Sequence, residues 1–117
     1  MRRVLIALAV ATMVMVSAQV AFAAVSSDVS IRYNSSGETF HGMVTSSNDE
    51  CAVGRPVKLF KKTSSGAVLQ GKTKTNANGV WRVPVMHAHG KYFATAPEYM
   101  GMHKLCAASR SRTIDVM

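Results

Sequence analysis

Acidic residues, aromatics and cysteines are all scarce in this 117-residue chain, which has six Asp plus Glu against fourteen Lys plus Arg, one tryptophan and two cysteines. Each shortage excludes something. Neither cysteine sits in a Cys-x-x-Cys, which argues against a metal or redox pair of free thiols. There is no Gly-x-Ser-x-Gly, and no carboxylate is placed by a recognisable motif to orient one of the four histidines. A nucleophilic hydrolase is therefore not expected. The adjacent carboxylates Asp49 and Glu50 lie in a polar loop, where neighbouring side chains point apart or into water rather than at a shared reaction centre. Beyond the N-terminal stretch, no segment has the 3.6-residue apolar period of an amphipathic helix. The expectation is an all-β, non-catalytic protein without a cofactor.

What is present begins with Met1-Arg2-Arg3, an apolar run over residues 4–20, and Ala21-Phe22-Ala23, a small-x-small site. Together these read as a secretory signal peptide over residues 1–23, cleaved after Ala23, with no membrane span left after cleavage. Removing it from 117 residues leaves 94, enough for one domain and not two, and a monomer is expected. Twelve basic and six acidic residues remain, a net charge of +6 spread along the chain over Lys58, Lys61, Lys62, Lys72, Lys74, Lys91, Lys104, Arg110 and Arg112 rather than gathered in one block. In an exported protein this balance suits an anionic envelope polysaccharide or a lipid surface, and nucleic acid is not an expected partner. Cys51 and Cys106 both survive cleavage, and an even pair in a small exported domain predicts one disulfide. Closing a loop of that size stabilises by roughly 4 kcal/mol on the chain-entropy account.

Within the mature chain the organising stretch is Thr75-Asn-Ala-Asn-Gly-Val-Trp-Arg-Val83. Asn78-Gly79 is the dipeptide favoured in tight hairpins, so a hairpin is expected there. After it, Trp81, Val83 and Val85 share one face of an extended chain and Val80, Arg82 and Pro84 the other, which puts the only tryptophan at the centre of the core. Residues 24–38 form an N-terminal segment with a first strand in which Val29, Ile31 and Tyr33 alternate, and the sandwich domain proper is expected over residues 39–117. In residues 39–45, Phe40, Gly42 and Val44 point inward; in residues 57–62, Val57 and Leu59 do. Residues 68–75 carry Gln70, Lys72 and Lys74 on one face and little to bury, the pattern of an edge strand guarded by lysines. A strand over residues 90–96 stops at Pro97, an irregular segment follows, and residues 106–116 supply the last strand material. About seven short strands separated by turns predict an antiparallel Greek-key β-sandwich with one disulfide.

The spacing Phe40-x-Gly42-x-Val44, Cys51, Arg55-x-Val57-x-Leu59, Thr75-x-x-x-Gly79-x-Trp81 and Gly90-x-Tyr92-x-Ala94 resembles the carboxypeptidase-regulatory-like, prealbumin-like (transthyretin-like) β-sandwich modules of secreted bacterial proteins. That resemblance covers residues 39–116 and implies a non-catalytic module that accompanies enzymes or forms stalks and adhesive surfaces. Similar collagen-adhesin modules often carry a Lys-to-Asn crosslink in the last strand; no Asn follows Asn78, so the cysteine pair is the expected staple instead.

Three further features carry chemistry. Tyr92, Phe93 and Tyr99 among lysines could form an aromatic and basic binding surface, with Phe93 facing outward or packing beneath residues 97–105. His87-x-His89 would set two imidazoles on one side of an extended segment, and Met100-Gly-Met102-His103 adds two thioethers and a third imidazole, a donor set that suits copper. Asn34-Ser35-Ser36 matches the N-glycosylation triplet. The reading these support is a secreted structural, adhesive or binding module at the cell envelope or outside the cell. The alternative is an exported copper-binding protein using His87, His89, Met100, Met102 and His103.

Overall fold

A computed structural model describes residues 23–117, so the signal peptide predicted for residues 1–23 lies, apart from Ala23, outside the described residues. The described chain is all-β. Its strands are β1 (Ser27–Val29), β2 (Arg32–Asn34), β3 (Thr39–Ser46), β4 (Pro56–Thr63), β5 (Gly66–Lys74), β6 (Val80–Pro84), β7 (Gly90–Ala96), β8 (Tyr99–Met100), β9 (Leu105–Cys106), β10 (Ser109–Arg110) and β11 (Ile114–Val116), with one 3-10 turn at Asp49–Cys51.

Two antiparallel sheets face each other. In the first, β1 and β2 pair with β3 in a single continuous register, and β6 pairs with the other edge of β3. In the second, β10 and β11 pair with β7, β7 with β4, and β4 with β5. The pairs β3 with β6 and β4 with β7 join strands that are not consecutive, which is the Greek-key interleaving of the two layers. Taken with their interruptions, β1–β2 and β10–β11 each make one strand, giving the expected seven-strand sandwich plus the small β8–β9 hairpin. The N-terminal segment is part of this sandwich, because Val29 and Ile31 bury in the same core as Phe40, Val44, Val57, Leu59, Trp81, Val83, Tyr92, Ala94, Ala96 and Val116.

The alternating apolar positions go inward as expected, and Trp81 is fully buried at the centre. Burying an indole of about 150–250 Å² contributes about 4–6 kcal/mol of transfer free energy. Its Nε1–H donates to the Ser30 carbonyl at 3.1 Å. Gly42 is what allows this approach, since a methyl at that position would overlap the Ser30 carbonyl and crowd the indole nitrogen.

The Asn78-Gly79 hairpin is not formed. β5 belongs to the second sheet and β6 to the first, so the strands flanking the turn do not pair and the turn carries the chain from one layer to the other. A two-residue type I′ turn needs positive φ at both central residues, and here only Gly79 has it, at +75°. Asn76 organises the crossing instead: its Oδ1 accepts from the Asn78 and Val80 amides at 2.9 and 3.0 Å. Gly79 is required, as a Cβ there would come within 2.7 Å of the Val44 carbonyl.

Both interrupted strands use a serine to keep their ladders satisfied. Ser30 N–H donates to the Met43 carbonyl as a regular pair would, but its own carbonyl turns to Trp81, and its hydroxyl accepts the Met43 amide at 2.9 Å in its place. In the second sheet, Ser111 N–H donates to the Ala94 carbonyl, and the Ser111 hydroxyl accepts the Ala94 amide at 2.8 Å. Past that point the register with β7 shifts by one residue. Each serine satisfies an amide that a bend in the strand would otherwise leave unpaired, a buried one at Ala94 and an exposed one at Met43.

Candidate functional site

The outer face of the second sheet follows from strand alternation. With Val57, Leu59, Tyr92, Ala94 and Ala96 turned into the core, the alternate positions Lys58, Phe60 and Lys62 of β4 and Lys91, Phe93 and Thr95 of β7 face away from it. Across the ladder, Lys58 pairs with Lys72 on β5, Phe60 with Leu69, and Pro56 with Lys74; on the other side Thr95 pairs with Arg110 and Lys91 with Asp115. The face therefore carries six cations, Lys58, Lys62, Lys72, Lys74, Lys91 and Arg110, and one acid, Asp115. The remaining six basic residues of the mature chain are set against five acids. Nearly all of the net charge is thus gathered on one side, although it is scattered along the sequence. A cleft of about 560 Å³ beside Asp115 adds Arg32 and Arg112.

Aromatic rings form the floor of this face rather than its contact points. Phe60 and Phe93 stack with centroids 5.4 Å apart, the Arg110 guanidinium lies 3.7 Å over the Phe93 ring, and Lys62 Nζ is 5.8 Å from it. These neighbours leave Phe93 only 5% exposed. It is neither an outward contact residue nor packed beneath residues 97–105, because its own sheet covers it. Tyr92 points into the core, its hydroxyl exchanging hydrogen bonds with the backbone of His89, and Tyr99 is half-buried with its ring centroid 6.0 Å from Arg55. The expected surface of Tyr92, Phe93 and Tyr99 does not exist as one patch. What does exist is a cation layer held over one buried ring, Phe93, and one half-buried ring, Phe60, where ring quadrupoles and apolar stems hold the charges.

The copper donor set is divided between two places. His87 and His89 precede β7, and Met100, Met102 and His103 follow it, so the length of a seven-residue strand, about 20 Å, lies between the groups. The segment at His87 is not extended: His87 sits in the left-handed region at φ +55°, and its Nδ1 lies 3.7 Å from Glu38 Oε1. Met100, Met102 and His103 do come together, lining one cleft with Leu105. Asn34 closes the β2–β3 hairpin, its Oδ1 accepting from the Ser36 amide and hydroxyl and the Gly37 amide. Asp49 and Glu50 lie in the 3-10 turn, where Glu50 Oε2 accepts from the His103 amide at 3.2 Å.

One buried cation is accounted for by structure. Arg55 is fully buried, and its Nη1 donates to Ser27 Oγ and the Cys51 carbonyl while its Nη2 donates to the carbonyls of Pro97 and Ala107 at 2.9 and 2.8 Å and, more weakly, Ala96. Burial pushes its pKa below the ordinary guanidinium value, an effect that Tyr99 partly offsets. The five acceptors keep the charge in place without a carboxylate and tie β1, the 3-10 turn, the end of β7 and the segment after β9 to one point. Beside it, the predicted disulfide joins Cys51 to Cys106 with 5.4 Å between the Cα atoms, and the described residues hold no free cysteine. Such a bond places the protein in an oxidising, extracytoplasmic environment. No helix among the described residues is long and apolar enough to cross a membrane.

Comparison with protein-family models, with curated proteins and with solved structures found no match to this chain.

Proposed function

We propose that this protein is a secreted, non-catalytic β-sandwich module that holds to an anionic envelope polysaccharide or lipid surface through the outer face of its second sheet. The observation that carries this reading is the gathering of six cations against one acid on that face, while the rest of the mature chain stays near neutral. A flat cationic face focuses counter-charge over its whole area and suits an extended polyanion better than a small ligand. The likeness to carboxypeptidase-regulatory-like modules belongs to the same proposal. It is supported by the burial of its patterned positions: Phe40, Gly42, Val44, Cys51, Arg55, Val57, Leu59, Thr75, Gly79, Trp81, Tyr92 and Ala94 are interior, and Gly90 alone is half-buried.

The test is retention of the mature protein on phosphatidylglycerol vesicles and on an immobilised acidic polysaccharide, each at low and high salt. Binding at low salt that is lost as the ionic strength rises is expected. Changing Lys62, Lys72 and Arg110 together to Glu should weaken it by at least about 100-fold, taking about 1 kcal/mol per basic residue near an anionic surface. Passage through both materials at low salt would remove the proposal.

A further inference from the structure

None of the methionines among the described residues fills a core gap; Met100 and Met102, 64% and 88% exposed, are the two that stand beside a histidine in one hairpin. Both belong to the β8–β9 hairpin. Gly101 N–H donates to the Lys104 carbonyl at 2.8 Å, so Met102 and His103 form a two-residue tip and Met100 stands one step below on the strand, paired with Leu105. Met100, Met102 and His103 line a single cleft of about 180 Å³. The sandwich itself makes no use of them.

The hairpin is held at both ends. At its foot Tyr99 pairs with Cys106, which is bonded to Cys51, and the Val25 amide donates to the Leu105 carbonyl at 2.8 Å. At its tip the His103 amide donates to Glu50 Oε2. A short loop anchored in this way presents its side chains at a small entropic cost on binding.

We infer that Met100, Met102 and His103 form a three-donor site for a soft monovalent cation, Cu(I). Two thioethers and one imidazole are the donors that select Cu(I) over harder ions. Both cysteines are committed to the disulfide, so no thiolate competes for the metal, and thioethers persist where thiols would be oxidised to disulfides. The charges around the hairpin balance, with Asp49 and Glu50 on one side and Lys104 and the Arg55 guanidinium, 6.0 Å from the Tyr99 ring, on the other. Asp49 and Glu50 line the adjoining cleft on the other side of Met102, at the end of the molecule away from His87 and His89, and Lys104 is the hairpin's one basic residue. His87 and His89 are not part of the site.

The test is competition of the mature protein with bicinchoninate for Cu(I) under anaerobic ascorbate. One equivalent should bind, with copper X-ray absorption showing sulfur ligation. Met100→Leu and Met102→Leu, which keep side-chain volume, and His103→Gln should each weaken binding by about tenfold or more. His87→Ala with His89→Ala should leave it unchanged. Near-ultraviolet circular dichroism of each variant should match the parent, as the hairpin lies outside the core. Failure to compete with the chelator, binding indifferent to Met102→Leu, or loss of binding in the His87 and His89 variant would each overturn the assignment. Retention on anionic surfaces is read separately in the same proteins, so the two proposals fail independently.

Discussion

Arg55 and Arg110 carry the same charge and end in opposite surroundings. Arg55 is enclosed, gives its two terminal nitrogens to four backbone carbonyls and a serine hydroxyl, leaves its Nε–H buried without a partner, and has no acidic partner among the described residues. Arg110 is exposed, lies flat on the Phe93 ring and leaves its charge to solvent beside five lysines. The first uses the hydrogen-bonding capacity of its terminal nitrogens inside the molecule, where a low dielectric makes an unmade bond expensive, and bears that cost at Nε alone. The second keeps that capacity for whatever approaches the sheet. Residue type therefore says little about role here, and enclosure says most of it.

The sharpest way to break the comparison is to remove the buried member. Arg55→Leu keeps an apolar stem but strands the carbonyls of Cys51, Pro97 and Ala107; at roughly 1–3 kcal/mol for each buried group left unpaired, a loss of at least about 3 kcal/mol is expected in urea unfolding. A loss below about 1 kcal/mol would mean that other donors reach those carbonyls and that Arg55 does not organise this end. Next in size is the staple beside it. Cys51→Ser with Cys106→Ser should cost about 4 kcal/mol, and its combination with Arg55→Leu should be non-additive, because both hold the 3-10 turn to the adjacent residues Cys106 and Ala107. Strict additivity would separate the two devices. The smallest effect belongs to the exposed member: Arg110→Ala should move the unfolding midpoint by no more than about 0.5 kcal/mol. The same change should measurably reduce retention on an anionic surface. A large stability loss would mean that the cover Arg110 gives Phe93 matters more to the fold than its charge does to the surface.

The core was legible in the residues because alternation at period two dictates which side chains share a face, and Phe40, Val44, Val57, Leu59, Trp81, Tyr92 and Ala94 all turned inward as that rule requires. The edge strand β5, with its lysines, was legible for the same reason. The turn at Asn78-Gly79 misled because a dipeptide suited to a hairpin does not say which strand comes to lie beside it; Asn76 and the pairing of β6 with β3 decided that. Phe93 misled because alternation places a residue on a face without telling how its neighbours cover it. Arg55 was legible only as a position of the Arg55-x-Val57-x-Leu59 pattern, which marks a strand but says nothing of the carbonyls that enclose the side chain.

By itself, the sequence determined an all-β chain, its inward and outward positions, its central tryptophan and its single pair of cysteines, since all of these depend on local stereochemistry and composition. Only the tertiary structure decided that lysines and arginines scattered from residue 58 to residue 110 share one face, that His87 and His89 stand apart from Met100, Met102 and His103, and that Arg55 is enclosed. The physical reason is that charge neighbourhoods and ligand sets are made across strands. Which strands become neighbours is settled by the packing of the two layers, over separations in sequence that no local pattern spans.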